Sequence, residues 1–303
     1  MKTLLIGFGS IGKRHFEILS KMSKIKSIDI VTKQKIKYEN CYGSLNEIDD
    51  LNLYDYFVIA SETNKHFEQL RFLKQKIKNK LIFCEKPLFE TKRNLKITNN
   101  KVFVGYVLRF NPILQKLKKI LTNEKILFIH AKCGQFLPNW RQERNYKESY
   151  SASKEKGGGV LLDLSHEIDY VHWLCGKLKK LYSIQEKVSD LNINSDDFTI
   201  IVGKTKKNIL VNISIDYLSK KNHRDILIET SNHTYELDLI MNKLKIYNKL
   251  GIVKNFSCPN LEKNYIFKKM HSDILGKKTK ACTYNEGLEV MDIISIIQEQ
   301  NNE

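Results

Sequence analysis

The stretch Lys2-Thr3-Leu4-Leu5-Ile6-Gly7-Phe8-Gly9-Ser10-Ile11-Gly12 begins this chain of 303 residues and is the strongest indication of its fold. An apolar strand pattern leads into GxGxxG, and a helical pattern follows over 13–22, the context in which such a turn binds a dinucleotide. Gly7 permits a tight turn, Gly9 lets the backbone approach a pyrophosphate, and Gly12 lets the helix pack on the strand. The helix N-terminus favours the negative charge. We therefore predict a cofactor-binding turn made of Gly7, Phe8, Gly9, Ser10, Ile11 and Gly12.

Further apolar segments alternate with helical ones over the next hundred residues. The strand patterns lie at 27–31, 55–60, 81–84 and 102–106. Strands and helices joined by short connections predict a parallel sheet wound on both sides, with this domain closing near residue 120. Ligands of such sheets bind at the carboxyl ends of the strands. We expect these cofactor-binding residues at that edge: Ser61, Thr63, His66, Glu85 and Lys86.

The end of the second strand bears on the type of cofactor. An NAD-binding fold usually places Asp or Glu about twenty residues after the glycines, on the ribose hydroxyls. Here the positions are Thr32 and Lys33. A hydroxyl and a cation suit a 2′-phosphate better than a bare ribose, which gives a slight preference for NADP over NAD. The alternative is that Lys33 is one more surface lysine.

A second glycine-rich segment, 157–159, precedes a helical pattern that continues to Cys175. Interpreted as one helix, it carries an apolar stripe and a second face with Asp163 and His166. A carboxylate and an imidazole three residues apart on a helix lie about one turn from each other, close enough to act on one small molecule. The alternative is a core helix with a half-exposed polar edge.

The segment 137–153 just before these glycines is polar, aromatic and long for a loop, and such loops are often functional. Trp140 and Arg141 could stack on and pair with a sugar or phosphate, and Tyr150 could contribute a hydroxyl. Equally, Trp140 could only anchor the loop to the core.

The remaining sequence predicts a second domain. Strand patterns at 180–188, 198–202, 209–217, 225–230, 233–239 and 244–247 are separated by polar turns, which favours an antiparallel sheet. The alternation of Ile209, Val211, Ile213 and Ile215 indicates burial on one side. The predicted fold is therefore α/β: a Rossmann domain at 1–120, and an α+β domain at 121–303 with a largely antiparallel open sheet and a C-terminal helix at 285–299.

Composition excludes several classes of function. Lys and Arg number 51 against 34 Asp and Glu, a net charge of +17, yet the lysines are dispersed and no DNA-binding motif accompanies them. We predict no nucleic-acid partner, and interpret the charge as a solvated surface that favours anionic ligands.

The six cysteines form no CxxC pair and no cluster with histidine. We predict neither a metal site nor a disulfide framework, which fits a reducing compartment. No run approaches the roughly 18 apolar residues of a membrane span, and the first residues lead into a strand instead of a signal peptide. We expect a cytoplasmic protein without a membrane partner.

The order of three motifs carries a resemblance. The turn 7–12, Glu85-Lys86-Pro87, and 157–159 leading to Asp163 and His166 together resemble the glucose-fructose oxidoreductase/inositol dehydrogenase/MocA family. The resemblance implies that Lys86 contacts the substrate hydroxyl and the nicotinamide, and that the Lys86-Pro87 bond is cis.

Other segments extend this resemblance. The segment 107–112 is similar to one in the family and implies that Arg109 binds substrate, while the second sheet implies a homo-oligomer, a dimer or tetramer. The segment 137–141, followed by Tyr150-Ser151-Ala152 and the run Asp163-Leu164-Ser165-His166, looks most like members found with surface-glycan and nonulosonic-sugar pathways.

These observations lead to one functional hypothesis with a rival. The first is hydride transfer between a nicotinamide cofactor and a secondary alcohol or ketone of a sugar or sugar nucleotide. Lys86 would stabilise the developing alkoxide, and His166 would be the acid/base, since an imidazole ordinarily has a pKa of about 6.5. Asp163 would orient the substrate. The family more often separates these two positions by four residues, which leaves the roles of Asp163 and His166 open. The rival is a non-catalytic dinucleotide-binding sensor or assembly protein.

Overall fold

A computed structural model describes residues 1–140 and 145–301. The strands are, in chain order, β1 (Lys2–Ile6), β2 (Ser27–Val31), β3 (Cys41–Tyr42), β4 (Tyr56–Ile59), β5 (Leu81–Cys84), β6 (Lys101–Val104), β7 (Ile126–Gly134), β8 (Leu178–Glu186), β9 (Phe198–Thr205), β10 (Leu210–Asp216), β11 (His223–Thr230), β12 (Thr234–Asp238), β13 (Lys243–Asn248), β14 (Gly251–Ser257) and β15 (Cys282–Thr283). The helices are α1 (Ser10–Leu19), α2 (Thr63–Lys76), α3 (Pro112–Leu121), α4 (Val160–Asp163), α5 (His166–Cys175), α6 (Tyr265–Ile274) and α7 (Tyr284–Gln300). Within the described ranges, no helix has the length and apolar character needed to cross a bilayer.

The chain divides into two compact units. The first unit is Met1–Phe110 together with Lys263–Leu288, and the second is Asn111–Glu262 together with the chain from Glu289 onward. This division differs from the predicted boundary near residue 120, because Asn111 caps α3 and its side-chain amide donates to Asn242 Oδ1 within the second unit. The return of 263–288 to the first unit was not predicted either.

The first unit contains a seven-stranded sheet of order β15-β6-β5-β4-β1-β2-β3. Strands β1 to β6 are parallel, and β15 pairs antiparallel with β6. The order reverses between β1 and β4, which is the switch point where doubly wound sheets bind ligands at the strand carboxyl ends. This confirms the predicted Rossmann sheet, whose central strands are apolar on both faces because helices cover both.

The second unit contains an eight-stranded sheet of order β14-β13-β12-β11-β7-β10-β9-β8. Only the β7–β10 pair is parallel among these strands, so the predicted largely antiparallel sheet is confirmed. The alternating residues Ile209, Val211, Ile213 and Ile215 are all buried, as predicted.

Four elements were not predicted: the two-residue strands β3 and β15, strand β14 and helix α6. Strand β14 is an almost fully exposed edge strand, so it lacks the alternation that marks a half-buried strand. Helix α6 does carry a signal, because its buried residues Phe267, Met270, His271 and Ile274 recur at helical spacing.

The single helix predicted after the glycine-rich segment is wrong. The chain forms α4 and α5, separated at Leu164 and Ser165. The N–H of Glu167 donates back only three residues, to Leu164 O, so the helical ladder tightens and is interrupted there. Asp163 therefore ends one helix and His166 begins the next, instead of sharing a face of a continuous helix.

Candidate active site

The glycine turn of the first unit is shaped by backbone contacts. Gly7 has φ +96°, and a Cβ there would lie 2.7 Å from Ala60 O. A Cβ on Gly12 would overlap Gly7 O. By contrast, no heavy atom of the described residues lies within 4 Å of a Cβ built on Gly9. The protein itself needs Gly7 and Gly12, whereas Gly9 faces open space into which a ligand can approach.

Helix α1 begins directly after this turn. Gly9 is its N-cap residue, and the first turn contains no acidic side chain. The first N–H groups of a helix have no partner within the helix, and its dipole favours an anion there. This end of α1 fits the diphosphate of a dinucleotide cofactor.

The end of β2 carries Thr32 and Lys33. The backbone N–H of Thr32 donates to Tyr42 O at 2.8 Å, and its hydroxyl accepts the N–H of Gln34 at 3.1 Å. Lys33 is exposed. The hydroxyl therefore takes part in a local turn, and the cation is the group accessible to a ligand.

His66 connects the chain after β4 with the chain after β5. Its Nδ1 lies 3.1 Å from Pro87 O and its Nε2 lies 3.2 Å from Ser61 O. Burial lowers its pKa below the ordinary imidazole value. Only 1% of His66 and 5% of Thr63 is exposed. His66 supports the turns of this edge from the interior, and a direct cofactor contact by either residue is not supported.

Lys86 follows β5 at the same edge. It is partly exposed, whereas Glu85 before it and Pro87 after it are buried. The Lys86-Pro87 peptide bond is cis, as the resemblance implied. The N–H of Lys86 donates to Glu85 Oε2 at 3.0 Å, and Glu85 Oε1 lies 2.8 Å from Nε2 of His15, a buried residue that the sequence did not single out.

In the second unit, the break between α4 and α5 presents two polar side chains. From Val160 to His172, Asp163 and His166 are partly exposed and every other residue is buried. Tyr217 donates its hydroxyl to Asp163 Oδ2 at 2.6 Å. Burial, followed by the charge of Asp163, raises the pKa of Tyr217 well above its ordinary value. The phenol therefore stays protonated and orients the carboxylate.

The start of α4 is held by Asp196. Its backbone carbonyl accepts the N–H of Val160 at 3.0 Å, and its carboxylate accepts the N–H of Leu161 at 2.9 Å. Gly159 has φ +118°, and a Cβ there would overlap the Asp196 carboxylate. Gly159 and Asp196 thus set the position of the short helix that ends at Asp163. Sequence reasoning missed both Asp196 and Tyr217, which lie 30 or more residues away in the chain.

The aromatic residues of the segment 137–153 contact the protein itself. The Trp140 ring packs edge-to-face on Tyr217 at 5.1 Å, and its Nε1 donates to Gln135 O at 3.2 Å. Tyr150 donates its hydroxyl to Gly157 O. These contacts favour the anchoring alternative for Trp140. The predicted substrate residue Arg141 lies outside the described residues.

Arg109 is enclosed in the first unit. It is 1% exposed, and its guanidinium donates to Glu286 Oε1 at 2.7 Å. Its guanidinium is thus buried and paired within its own unit, so the predicted contact with substrate is not supported.

Comparison with known proteins gives two matches along the chain. Residues 1–102 match the family profile described as an oxidoreductase family with an NAD-binding Rossmann fold, and residues 114–236 match the GFO/IDH/MocA C-terminal domain. A glucose-6-phosphate 3-dehydrogenase from Bacillus subtilis (strain 168) is 25% identical over 288 residues, covering 84% of this chain and 79% of the relative.

Solved structures share the fold. The WlbA dehydrogenase from Bordetella pertussis in complex with NADH and UDP-GlcNAcA has a TM-score of 0.81 at 15% identity, with 100% of this chain and 95% of that chain covered. A levoglucosan dehydrogenase in complex with NADH and levoglucosan has a TM-score of 0.82 at 17% identity, with 100% and 97% covered.

Proposed function

Because this chain belongs to the GFO/IDH/MocA oxidoreductase family, we propose that it transfers a hydride between a nicotinamide dinucleotide and a sugar. The reacting group is a secondary alcohol or ketone of a sugar phosphate or sugar nucleotide. The observation that carries this proposal is the exposure of the three reactive side chains. Lys86 is partly exposed at the strand ends of the first sheet, and Asp163 and His166 are partly exposed among buried neighbours in the second unit.

The residues have distinct chemical tasks. A bound nicotinamide supplies the hydride acceptor or donor. In the oxidative direction, Lys86 hydrogen-bonds the substrate oxygen and stabilises its developing negative charge. His166 takes the hydroxyl proton. Asp163, oriented by Tyr217, accepts a hydrogen bond from a neighbouring substrate hydroxyl.

The substrate class follows from charge and sequence. A net charge of +17 favours anionic ligands such as a sugar phosphate or a nucleotide diphosphate sugar. The segment 137–141 supports a sugar of surface-glycan synthesis, including the nonulosonic acid type. We propose to test glucose 6-phosphate, UDP-N-acetylglucosamine, UDP-GlcNAcA and levoglucosan, because relatives and structural neighbours are named for these compounds or complexed with them.

Formation of reduced nicotinamide, followed by absorbance, is the direct test with this panel. Oxidation of at least one anionic sugar is expected, with the oxidised carbon identified by NMR of the product. Dinucleotide binding without turnover of any sugar would instead favour a non-catalytic sensor or assembly protein.

Cofactor choice is the first quantitative prediction. Ligand at about 100 times its Kd adds about 2.7 kcal/mol of stability, so thermal shifts with NAD, NADH, NADP and NADPH rank the affinities of the four cofactors.

We propose that the exposed Lys33 gives a slight preference for the NADP pair. Lys33→Gln should then weaken NADP binding by about tenfold, since a charge-assisted hydrogen bond at an exposed side chain contributes near the lower end of about 1.5–3 kcal/mol, and leave NAD unchanged. The control is Lys35→Gln, also exposed; equal effects of Lys33→Gln on both cofactors would contradict the preference.

We further propose that the chain forms a homo-oligomer through the outer face of the second sheet. Tyr182 and Val202 are paired across β8 and β9 and are 71% and 48% exposed, and Ile184 next to them is 53% exposed. Contiguous apolar surface of this kind is typical of subunit interfaces. Val202→Glu should convert a dimer or tetramer into monomer in sedimentation equilibrium. Leu53→Glu, an exposed apolar position of the first unit, should leave the mass unchanged, and a monomeric wild type would refute this assembly.

A further inference from the structure

A chain of buried hydrogen bonds lies beneath Lys86 in the first unit. The hydroxyl of Tyr56 lies 2.8 Å from His271 Nδ1, His271 Nε2 lies 2.8 Å from His15 Nδ1, and His15 Nε2 lies 2.8 Å from Glu85 Oε1. The other oxygen of Glu85 accepts the N–H of Lys86 at 3.0 Å. Tyr56, His15 and His271 are completely buried.

The elements that supply these side chains are distant in sequence. Tyr56 begins β4, His15 lies on α1, and His271 lies on α6, in the segment that returns to the first unit. His15 and His271 are 256 residues apart. Helix α6 therefore brings a polar group into the interior of the Rossmann unit, which is costly unless the group is hydrogen-bonded.

Only one direction of donation along this hydrogen-bond chain gives every donor an acceptor. Tyr56 Oη has no acceptor other than His271 Nδ1 within hydrogen-bonding distance among the described residues. If Tyr56 donates to His271, then His271 must donate through Nε2 to His15, and His15 must donate through Nε2 to Glu85. The opposite direction would leave the buried Tyr56 hydroxyl without an acceptor, which costs about 1–3 kcal/mol.

The electrostatics agree with this direction. Burial, followed by the proximity of His15, lowers the pKa of His271 well below its ordinary value, so this ring is neutral. Burial, followed by the charge of Glu85, raises the pKa of Tyr56 well above its ordinary value, so its hydroxyl keeps its proton.

Space is also reserved for the accepting carboxylate. A Cβ on Gly105 would lie 2.9 Å from Glu85 Oε2 and 3.1 Å from the backbone nitrogen of Lys86. The glycine thus leaves room for the one arrangement in which Glu85 binds both His15 and the Lys86 N–H.

We propose that His15 and His271 are positioning residues for Lys86, which they hold through Glu85 by a hydrogen-bond chain of fixed direction. The inference rests on the proposed role of Lys86 in the reaction. None of the three buried side chains touches the substrate; they restrict the orientation of Glu85, and Glu85 restricts the turn that carries the lysine.

The direction of the chain is tested by ¹⁵N NMR of the histidine rings in the full-length protein. In the wild type, His15 and His271 should both be protonated at Nε2. In Glu85→Gln the amide oxygen has to accept the Lys86 N–H, so the amide NH₂ faces His15 and both rings should switch to the Nδ1-protonated form. Other tautomers in the wild type, or an unchanged His271 tautomer in Glu85→Gln, would refute the proposed direction of the hydrogen-bond chain.

Hydrogen exchange at the Lys86 amide measures the positioning itself, without substrate. His271→Phe should raise this exchange by about tenfold or more, whereas His271→Gln, which retains one acceptor and one donor, should restore most of the protection. The matched control is Tyr54→Phe. Tyr54 is a buried tyrosine whose hydroxyl donates to Asp29, which is not part of the hydrogen-bond chain. Its loss should leave the exchange rate of the Lys86 amide unchanged. Equal exchange in His271→Phe and the wild type refutes the proposal.

Turnover separates this inference from the proposed function. With glucose 6-phosphate as the first probe, His271→Phe should lower kcat by about tenfold to a hundredfold, as small displacements of a reacting group do, with the KM for sugar and the Kd for NAD within about twofold. A wild type that oxidises none of the panel would refute the proposed function. The tautomer and exchange results would still show whether the hydrogen-bond chain positions Lys86.

Discussion

Replacing Lys86 by methionine is expected to lower kcat by about 10²- to 10³-fold, the effect of removing one donor that stabilises an oxyanion. Methionine preserves the length and most of the packing of the side chain, but it has no charge and no N–H. Dinucleotide affinity should stay within about twofold, because the proposed diphosphate site is the glycine turn and the N-terminus of α1. Steady-state kinetics together with NADH fluorescence titration measure both quantities.

Two further lysine variants make this experiment specific. Lys74→Met removes an exposed lysine from α2 and should leave kcat unchanged. Lys86→Arg should recover little activity, because a planar guanidinium cannot replace a compact ammonium group at a single oxygen. Wild-type turnover in Lys86→Met would refute the role of this residue.

The parts of the fold that depend on local pattern were predictable. Strands β1 and β2 were placed to the residue, since apolar runs bounded by turn residues are local signals. The return of α6 to the first unit was not, because the contact between His15 and His271 joins residues 256 positions apart. A periodic pattern reveals that α6 has a buried face but not which sheet covers it.

The candidate site shows the same limit. Asp163 and His166 were selected as neighbours on one helix, yet they lie at the ends of two helices, since a local bond from the N–H of Glu167 to Leu164 O interrupts the helical ladder. Tyr217, which orients Asp163, comes from the end of β10, 54 residues away. Motif spacing can therefore indicate reactive groups, while the residues that orient them depend on tertiary contacts that the sequence does not display locally.

The break between α4 and α5 assigns different surroundings to Asp163 and His166. The Asp163 carboxylate accepts a 2.6 Å hydrogen bond from Tyr217, a group whose pKa is raised by burial and by Asp163 itself. The hydrogen bond from Tyr217 fixes the orientation of the Asp163 carboxylate. This favours His166 as the acid/base and Asp163 as the group that orients the sugar.

His166→Asn should accordingly lower kcat by about 10²- to 10⁴-fold, the usual contribution of general acid/base catalysis, and should remove the limb of the pH profile of kcat/KM that depends on the imidazole. Asp163→Asn keeps an oxygen that can accept from Tyr217, so its main effect should be a higher KM for the sugar with the pH profile retained. His130→Asn, at a partly exposed histidine of β7, serves as the control and should change neither quantity. If Asp163→Asn abolishes the pH dependence while His166→Asn retains it, Asp163 is the proton acceptor and the two roles are reversed.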